Sequence, residues 1–249
     1  MISLAKWRHR GLAWRPALFA FALPMALALL AGCRPAAGDP PLEGTVLGTG
    51  YHITLNDDLT SAARRRLEAV IQGELDALQH AHDRQARPFQ MARPPLGPAA
   101  NHRLLEALAR HYRLRALDRL VERLGQAGVR DALVELGGMQ HGLGRANRQP
   151  WRVSLARPGL EAGRDDVLQL EDLTVVTRQA PDTVDAADQA RILAVSAVAP
   201  SALEADRLAR ELLAGDPPRT VERAIRLIVL KPRGIDIRYG AALLPLLER

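Results

Sequence analysis

Three scarcities frame this 249-residue sequence: one cysteine, Cys33, two lysines, Lys6 and Lys231, and no acidic residue before Cys33. A single cysteine excludes an intramolecular disulfide, whatever the redox compartment. With lysine nearly absent, arginine carries almost all positive charge, which reads first as codon bias and second as chemistry. The formal charge is +6, but Lys6, Arg8, Arg10 and Arg15 account for four of those charges, leaving +2 from Cys33 onward. That remainder, with Arg interspersed among Asp and Glu, lacks the one-sided basic footprint that nucleic acid selects, so nucleic acid is excluded as a partner. No serine stands in a nucleophile elbow, and Gly142-x-Gly144 is too short for a dinucleotide fingerprint. His80 and His82, two residues apart on a helix, do not share a face and make no zinc pair. There is no internal repeat, and a hydrophobic fraction of 47% is ordinary for a chain that folds around a core.

What is present begins with an export signal. A basic start precedes an apolar run from Ala17 to Leu30, then Ala31, Gly32 and Cys33. The run is shorter than the roughly 20 residues that cross a bilayer and contains Pro24. The layout is that of a cleaved signal peptide, and Leu30-Ala31-Gly32-Cys33 resembles a bacterial lipobox. We therefore expect a signal peptide over 1–32, lipid on Cys33, a Pro/Ala/Gly-rich tether over 33–43 and one folded domain over 44–249. The expected location is the periplasmic face of a bacterial membrane; Arg34 rather than Asp after the cysteine favours the outer one.

The domain opens with Gly44–Leu55, which reads as a bent strand or hairpin edge before Asn56-Asp57-Asp58. Apolar spacing predicts a helix over Thr60–His82, a Pro-rich loop, and a second helix over Asn101–Gln126 that Gly128 stops. Strands are expected at Val129–Leu136, Trp151–Leu155, a hairpin pair within Leu168–Thr177, and Ile192–Ala199. A helix follows from Pro200-Ser201, then a short helix from Thr220, strands Leu227–Leu230 and Ile235–Arg238, and a final apolar turn. Hairpin-linked strands with helices beside them make the fold class α+β.

Three stretches then resemble one family. They are "VLGTGYHITL" (Val46–Leu55), "ALDRLVERLGQAGVRDALVELGGMQHGLG…QPWRVSLARP" (Ala116–Pro158) and "VSAVAPSALEADRLARELLAGDP" (Val195–Pro217). In this order they resemble the ApbE family, periplasmic flavin transferases that move FMN from FAD onto a Thr or Ser of a target protein with Mg²⁺. The resemblance implies antiparallel sheets flanked by helices, with the family's central segment shortened here to the Pro-rich loop. It implies FAD as substrate, an acceptor flavoprotein as partner, Thr49, Tyr51, Gly137 and Gly138 along the nucleotide, and Asp206 on Mg²⁺. The alternative is a catalytically degenerate lipoprotein that keeps the scaffold as a flavin-binding or protein-interaction module. No residue is assigned a catalytic role.

Two departures accompany the likeness. Where the family has a Gly-Gly-x-Ala-Lys-Gly turn, this chain reads "ARHYRL" over Ala109–Leu114. Where the family's metal helix reads Ala-Asp-x-Leu-Ala-Thr, Arg210 replaces the threonine four residues after Asp206. Arginine has five donors and no acceptor, so it cannot ligate a cation. Asp206 and Arg210 then form either a surface i,i+4 pair, worth about 0.3–0.5 kcal/mol, or a site in which Arg210 pairs directly with a diphosphate. Asp182, Asp185 and Asp188 form an acidic turn, solvated or cation-collecting, and His141 is either a solvated turn residue or a ligand contact.

If the thiol of Cys33 is the acylation site, Cys33→Ala blocks both lipid attachment and signal cleavage. Labelled fatty acid still entering the variant would contradict this.

Overall fold

Two-residue hairpins organise one end of the main sheet. The computed structural model describes residues 40–91, 97–155, 165–180, 191–215, 218 and 222–248. The signal peptide, Cys33, the acidic turn and the start of the helix expected from Thr220 lie outside them. Strands β1 (Leu42–Val46) and β2 (Thr49–Leu55) pair antiparallel through Leu47 and Gly48, both at positive φ. Strands β3 (Ala132–Leu136) and β4 (Met139–Leu143) do the same through Gly137 and Gly138. Two central residues at positive φ mark the type I′ turn, whose twist matches the flanking strands and which strongly favours glycine. Of the bent strand or hairpin edge expected at Gly44–Leu55, the structure forms the hairpin. The folded domain already begins at Leu42, buried and paired with Ile53, two residues inside the expected tether.

Strands β5 (Trp151–Leu155), β6 (Asp166–Leu170), β7 (Leu173–Gln179), β8 (Arg191–Ala199), β9 (Ile225–Lys231) and β10 (Gly234–Tyr239) complete the set. The main sheet runs β1-β2-β3-β4-β7-β8-β9-β10 with every pairing antiparallel, and β5 and β6 form a separate two-stranded sheet. The hairpin expected within Leu168–Thr177 is not one. Asp172 turns the chain at positive φ, sending β6 to β5 and β7 to the main sheet. Strand β4 had no sequence signal of its own, because the polar His141 stands between Met139 and Leu143 where an apolar residue would continue the alternation.

Helices α1 (Ser61–Ala86), α2 (Pro98–Gln126) and α3 (Ala202–Leu213) share the larger hydrophobic core with one sheet face. Thr60 and Ser201 cap α1 and α3, accepting from the backbone N–H of Ala63 and Glu204 at 3.2 Å. The period-2 alternation of β7 and β8 sends Val176, Ala197 and Ala199 to that core and Val175 and Val198 to the other side. There the β5–β6 hairpin covers the sheet with Trp151, Val153, Leu168 and Leu170. Gly142 permits this approach, since a Cβ there would lie 2.8–3.1 Å from Leu170 and Trp151. Between these layers Arg226, 1% exposed, donates to Asp166 Oδ2 at 3.0 Å, the Leu155 carbonyl at 3.1 Å and Ser196 Oγ at 3.3 Å. Tyr239 donates its hydroxyl to the same aspartate at 2.9 Å. A buried charge pair held by this many hydrogen bonds fixes how the hairpin sits on the sheet.

Trp151 is 7% exposed and its indole N–H donates to the Leu143 carbonyl at 2.9 Å. Trp151→Ala is expected to cost about 3–5 kcal/mol of unfolding free energy by urea titration, the range for truncating a buried aromatic. An unchanged midpoint would contradict this packing.

His141 is 5% exposed, not a solvated turn residue, because β4 carries it inward opposite Val134. Its Nδ1 lies 2.7 Å from Thr174 Oγ1, and its Nε2 has no hydrogen-bond partner among the described residues. Burial pushes its pKa down to about 4, with Asp172 opposing weakly. The unfolded imidazole takes a proton near pH 6.5 and the folded one only near 4, so stability is lost as pH falls through that window. The loss is of order 3 kcal/mol. His141→Gln should flatten the fall of the urea midpoint between pH 7 and 4.5, and parallel curves for variant and wild type would contradict the account.

Candidate functional site

The arrangement around Asp206 starts from helix geometry. On α2, Arg110 and Asp118 are eight residues apart and so share a face. Asp118 accepts from the backbone N–H of Ala202 at 2.6 Å and of Leu203 at 3.3 Å, capping the start of α3 from a neighbouring helix. Burial raises the pKa of Asp118, and these two backbone donors counter it. One turn into α3, Asp206 then meets Arg110. The inward face of α3 is Ala202, Ala205 and Ala209, small enough to bring the helix backbone close to the sheet and leave Asp206 buried at 2% exposure.

Three guanidinium groups converge on that carboxylate. Arg110 donates Nε to Oδ1 at 2.8 Å, and its Nη2 forms an ion pair with the same oxygen at 2.7 Å. Arg178, from β7, donates Nη1 at 2.8 Å to both oxygens. Arg210, one turn along α3, donates Nη2 at 3.4 Å to Oδ2. The surface i,i+4 pair expected from sequence is therefore a buried carboxylate shared by three arginines from three elements. Arg110 and Arg178 place nitrogens on the same oxygen, so these lie no more than twice 2.8 Å apart. Like charges at that separation repel by about 3 kcal/mol at an effective dielectric near 20. Burial lowers the pKa of Arg110, the bonds to Asp206 oppose this, and the nearby Arg178 and Arg113 lower it further.

Asp206 does not fit the Mg²⁺ role that its place in the sequence implied. Mg²⁺ wants several oxygens in near-octahedral geometry. Here both carboxylate oxygens already accept from guanidinium groups, and Arg210 offers no acceptor where a threonine would. No group of three or more His, Cys, Asp or Glu side chains among the described residues is placed to hold a metal.

The other expected site residues divide. Thr49 joins this end of the sheet: a Cβ on Gly137 would lie 3.1 Å from its methyl and 3.5 Å from Arg113 Cδ, while Gly137 N–H donates to the Gly50 carbonyl at 3.2 Å. Gly138 faces open space, and the turn geometry alone accounts for both glycines. Strand β7 pairs Val175 with Gln140, and continuing that register sets Arg178 level with Gly137. Tyr51 packs its ring over Gly44 and borders a cleft of about 640 Å³ between β1 and α1, whose lining includes none of the arginines on Asp206. Burial, then Asp76, raises its phenol pKa. Sequence reasoning missed Arg110, Arg113 and Arg178. The first two lie in "ARHYRL", the stretch that replaces the glycine turn, and within the unbroken helix α2.

The ApbE family model matches residues 105–178, a span that runs from α2 through the Gly137-Gly138 turn to Arg178. No curated protein sequence matches the chain. Among solved structures, the fold is similar to the flavin transferase ApbE from Vibrio cholerae, with TM-score 0.60 and 15% identity over 83% of this chain and 98% of that one. It is similar also to the flavinyl transferase ApbE of Pseudomonas stutzeri in its apo form, with TM-score 0.55 and 16% identity over 84% and 96% of the two chains. An ApbE protein from Thermotoga maritima aligns with TM-score 0.59 and 13% identity over 84% and 99%. The expected α+β architecture is thus the observed one, a fold similar to that of solved ApbE flavin transferases, and the ApbE family model matches one segment of the chain, residues 105–178.

Proposed function

We propose that this chain is a lipoprotein, anchored through Cys33 at the periplasmic face of a bacterial membrane, that binds FAD on the flavin-transferase scaffold. The reaction this scaffold supports is passage of FMN from FAD to a Thr or Ser of an acceptor flavoprotein. The acceptor hydroxyl oxygen bonds to the FMN-side phosphorus, that phosphorus parts from the bridging oxygen, AMP leaves and the hydroxyl proton passes to solvent. The observation that carries the reading is spatial. Thr49 and Gly137 meet Arg113 at one end of the sheet, and Arg113 lies three residues along the same helix from Arg110, which holds Asp206 of the third family-like stretch.

Mg²⁺ has no place in this reading, since Asp206 is occupied by guanidinium donors. Transfer then depends on positioning and charge neutralisation by protein groups. A second reading, FAD binding or protein interaction without transfer, is favoured by that same occupation and by the continuous helix at Ala109–Leu114, whose side chains keep backbone from phosphate.

The two are separated by FAD titration with riboflavin as control, followed by an FMN-labelling assay on a Thr-bearing acceptor peptide. We expect FAD binding, slow or absent transfer by the wild type, and no brisk transfer from Arg210→Thr alone, because Arg110 and Arg178 still hold Asp206. Failure to bind FAD at millimolar concentration would overturn the proposal. Brisk Mg²⁺-dependent labelling by the wild type would overturn the assignment of Asp206.

A further inference from the structure

Three guanidinium groups on one carboxylate leave an excess of two positive charges at a half-exposed site. The excess is concentrated: Arg110 and Arg178 are each about a quarter exposed, Arg210 is 64% exposed, and Arg113 stands alongside against the Gly137 turn. Nor are the donors used up. Each guanidinium carries five N–H groups in a planar fork. Toward Asp206 and the Thr177 carbonyl, Arg110 commits Nε and Nη2, Arg178 commits Nη1 and Arg210 commits Nη2. The remaining edges of three forks, each fixed on one side by the same carboxylate, are geometrically suited to paired contacts with phosphate oxygens.

The origin of these residues sharpens the point. Arg110 and Arg113 lie where the family resemblance leads one to expect a glycine turn, and Arg210 where it leads one to expect a threonine. These departures are separated by about a hundred positions in sequence, yet they meet at one carboxylate.

We propose that Arg110, Arg178 and Arg210, with Arg113 at their flank, form a metal-independent diphosphate site, and that Asp206 is its positioning residue. The inference deepens the reading that the chain binds FAD: a diphosphate diester carries two negative charges, matching the two left uncompensated here. Asp206 orients the forks and prevents mutual repulsion from splaying them.

The test is calorimetric titration of the full chain with inorganic pyrophosphate and, separately, with FAD and riboflavin, in EDTA and then in millimolar Mg²⁺. Pyrophosphate and FAD should bind in EDTA, compete with each other, weaken with salt and gain nothing from Mg²⁺. Arg110→Met and Arg178→Met should each weaken pyrophosphate at least tenfold, the range for losing a hydrogen bond to a charged group. Arg210→Ala should do the same, and its exposure keeps the test alive if the inner variants do not fold. Asp206→Asn raises the local positive charge and is nevertheless expected to weaken pyrophosphate about tenfold, which a site acting through charge alone would not do. Tighter binding by this variant would remove Asp206 from the positioning role. Wild-type affinity in Arg210→Ala and the other arginine variants, or an absolute need for Mg²⁺, would overturn the site. Pyrophosphate binding without FAD binding would keep the site and refute the FAD reading, whereas FAD bound equally by all the arginine variants would do the reverse.

Discussion

The structure turns on the Asp206 carboxylate. It is buried on a helix of small residues, and its two oxygens gather Arg110 from α2, Arg178 from β7 and Arg210 from its own helix. Removing a partner from a buried ionic cluster typically costs 3–5 kcal/mol, because uncompensated charge remains. Here the asymmetry is pronounced: without Asp206, three guanidinium groups would crowd one another with no anion between them. The same carboxylate therefore ties a helix, its neighbour and the sheet together, and it sets the direction in which three cationic forks point.

Two buried or half-buried charge systems lie on opposite faces of the sheet and do different work. Arg226 and Asp166 are buried beneath the β5–β6 hairpin, where Tyr239, Ser196 and the Leu155 carbonyl add hydrogen bonds to the pair. The Asp206 system has more cations than anions and an open side. Its location follows from backbone features: the tertiary cap that Asp118 gives α3, and the type I′ turn at Gly137-Gly138 that leaves Thr49 and Arg113 touching the same point.

Most of the architecture was legible in the sequence because apolar periodicity and caps speak locally. Thr60, Ser201, Gly128 and the alternation of Ile192–Ala199 marked their elements within a few residues. What failed depended on partners distant in sequence. Leu168–Thr177 looked like a hairpin because two apolar runs flank a turn, and nothing local says that the runs belong to different sheets. His141 looked solvated beside glycine, yet Gly142 is there to admit Leu170 and Trp151. At the site, Asp206 and Arg210 were visible as a pair, but Arg110 and Arg178 were not. Arginines 96 and 28 positions away carry no local signal that they will share one carboxylate.

The most direct measurement is a crystal structure of the protein grown with millimolar Mn²⁺, a redox-quiet and anomalously scattering stand-in for Mg²⁺. The account predicts Asp206 ringed by Arg110, Arg178 and Arg210 with no manganese peak upon it. A manganese ion on the Asp206 carboxylate, with the arginines swung away, would contradict it.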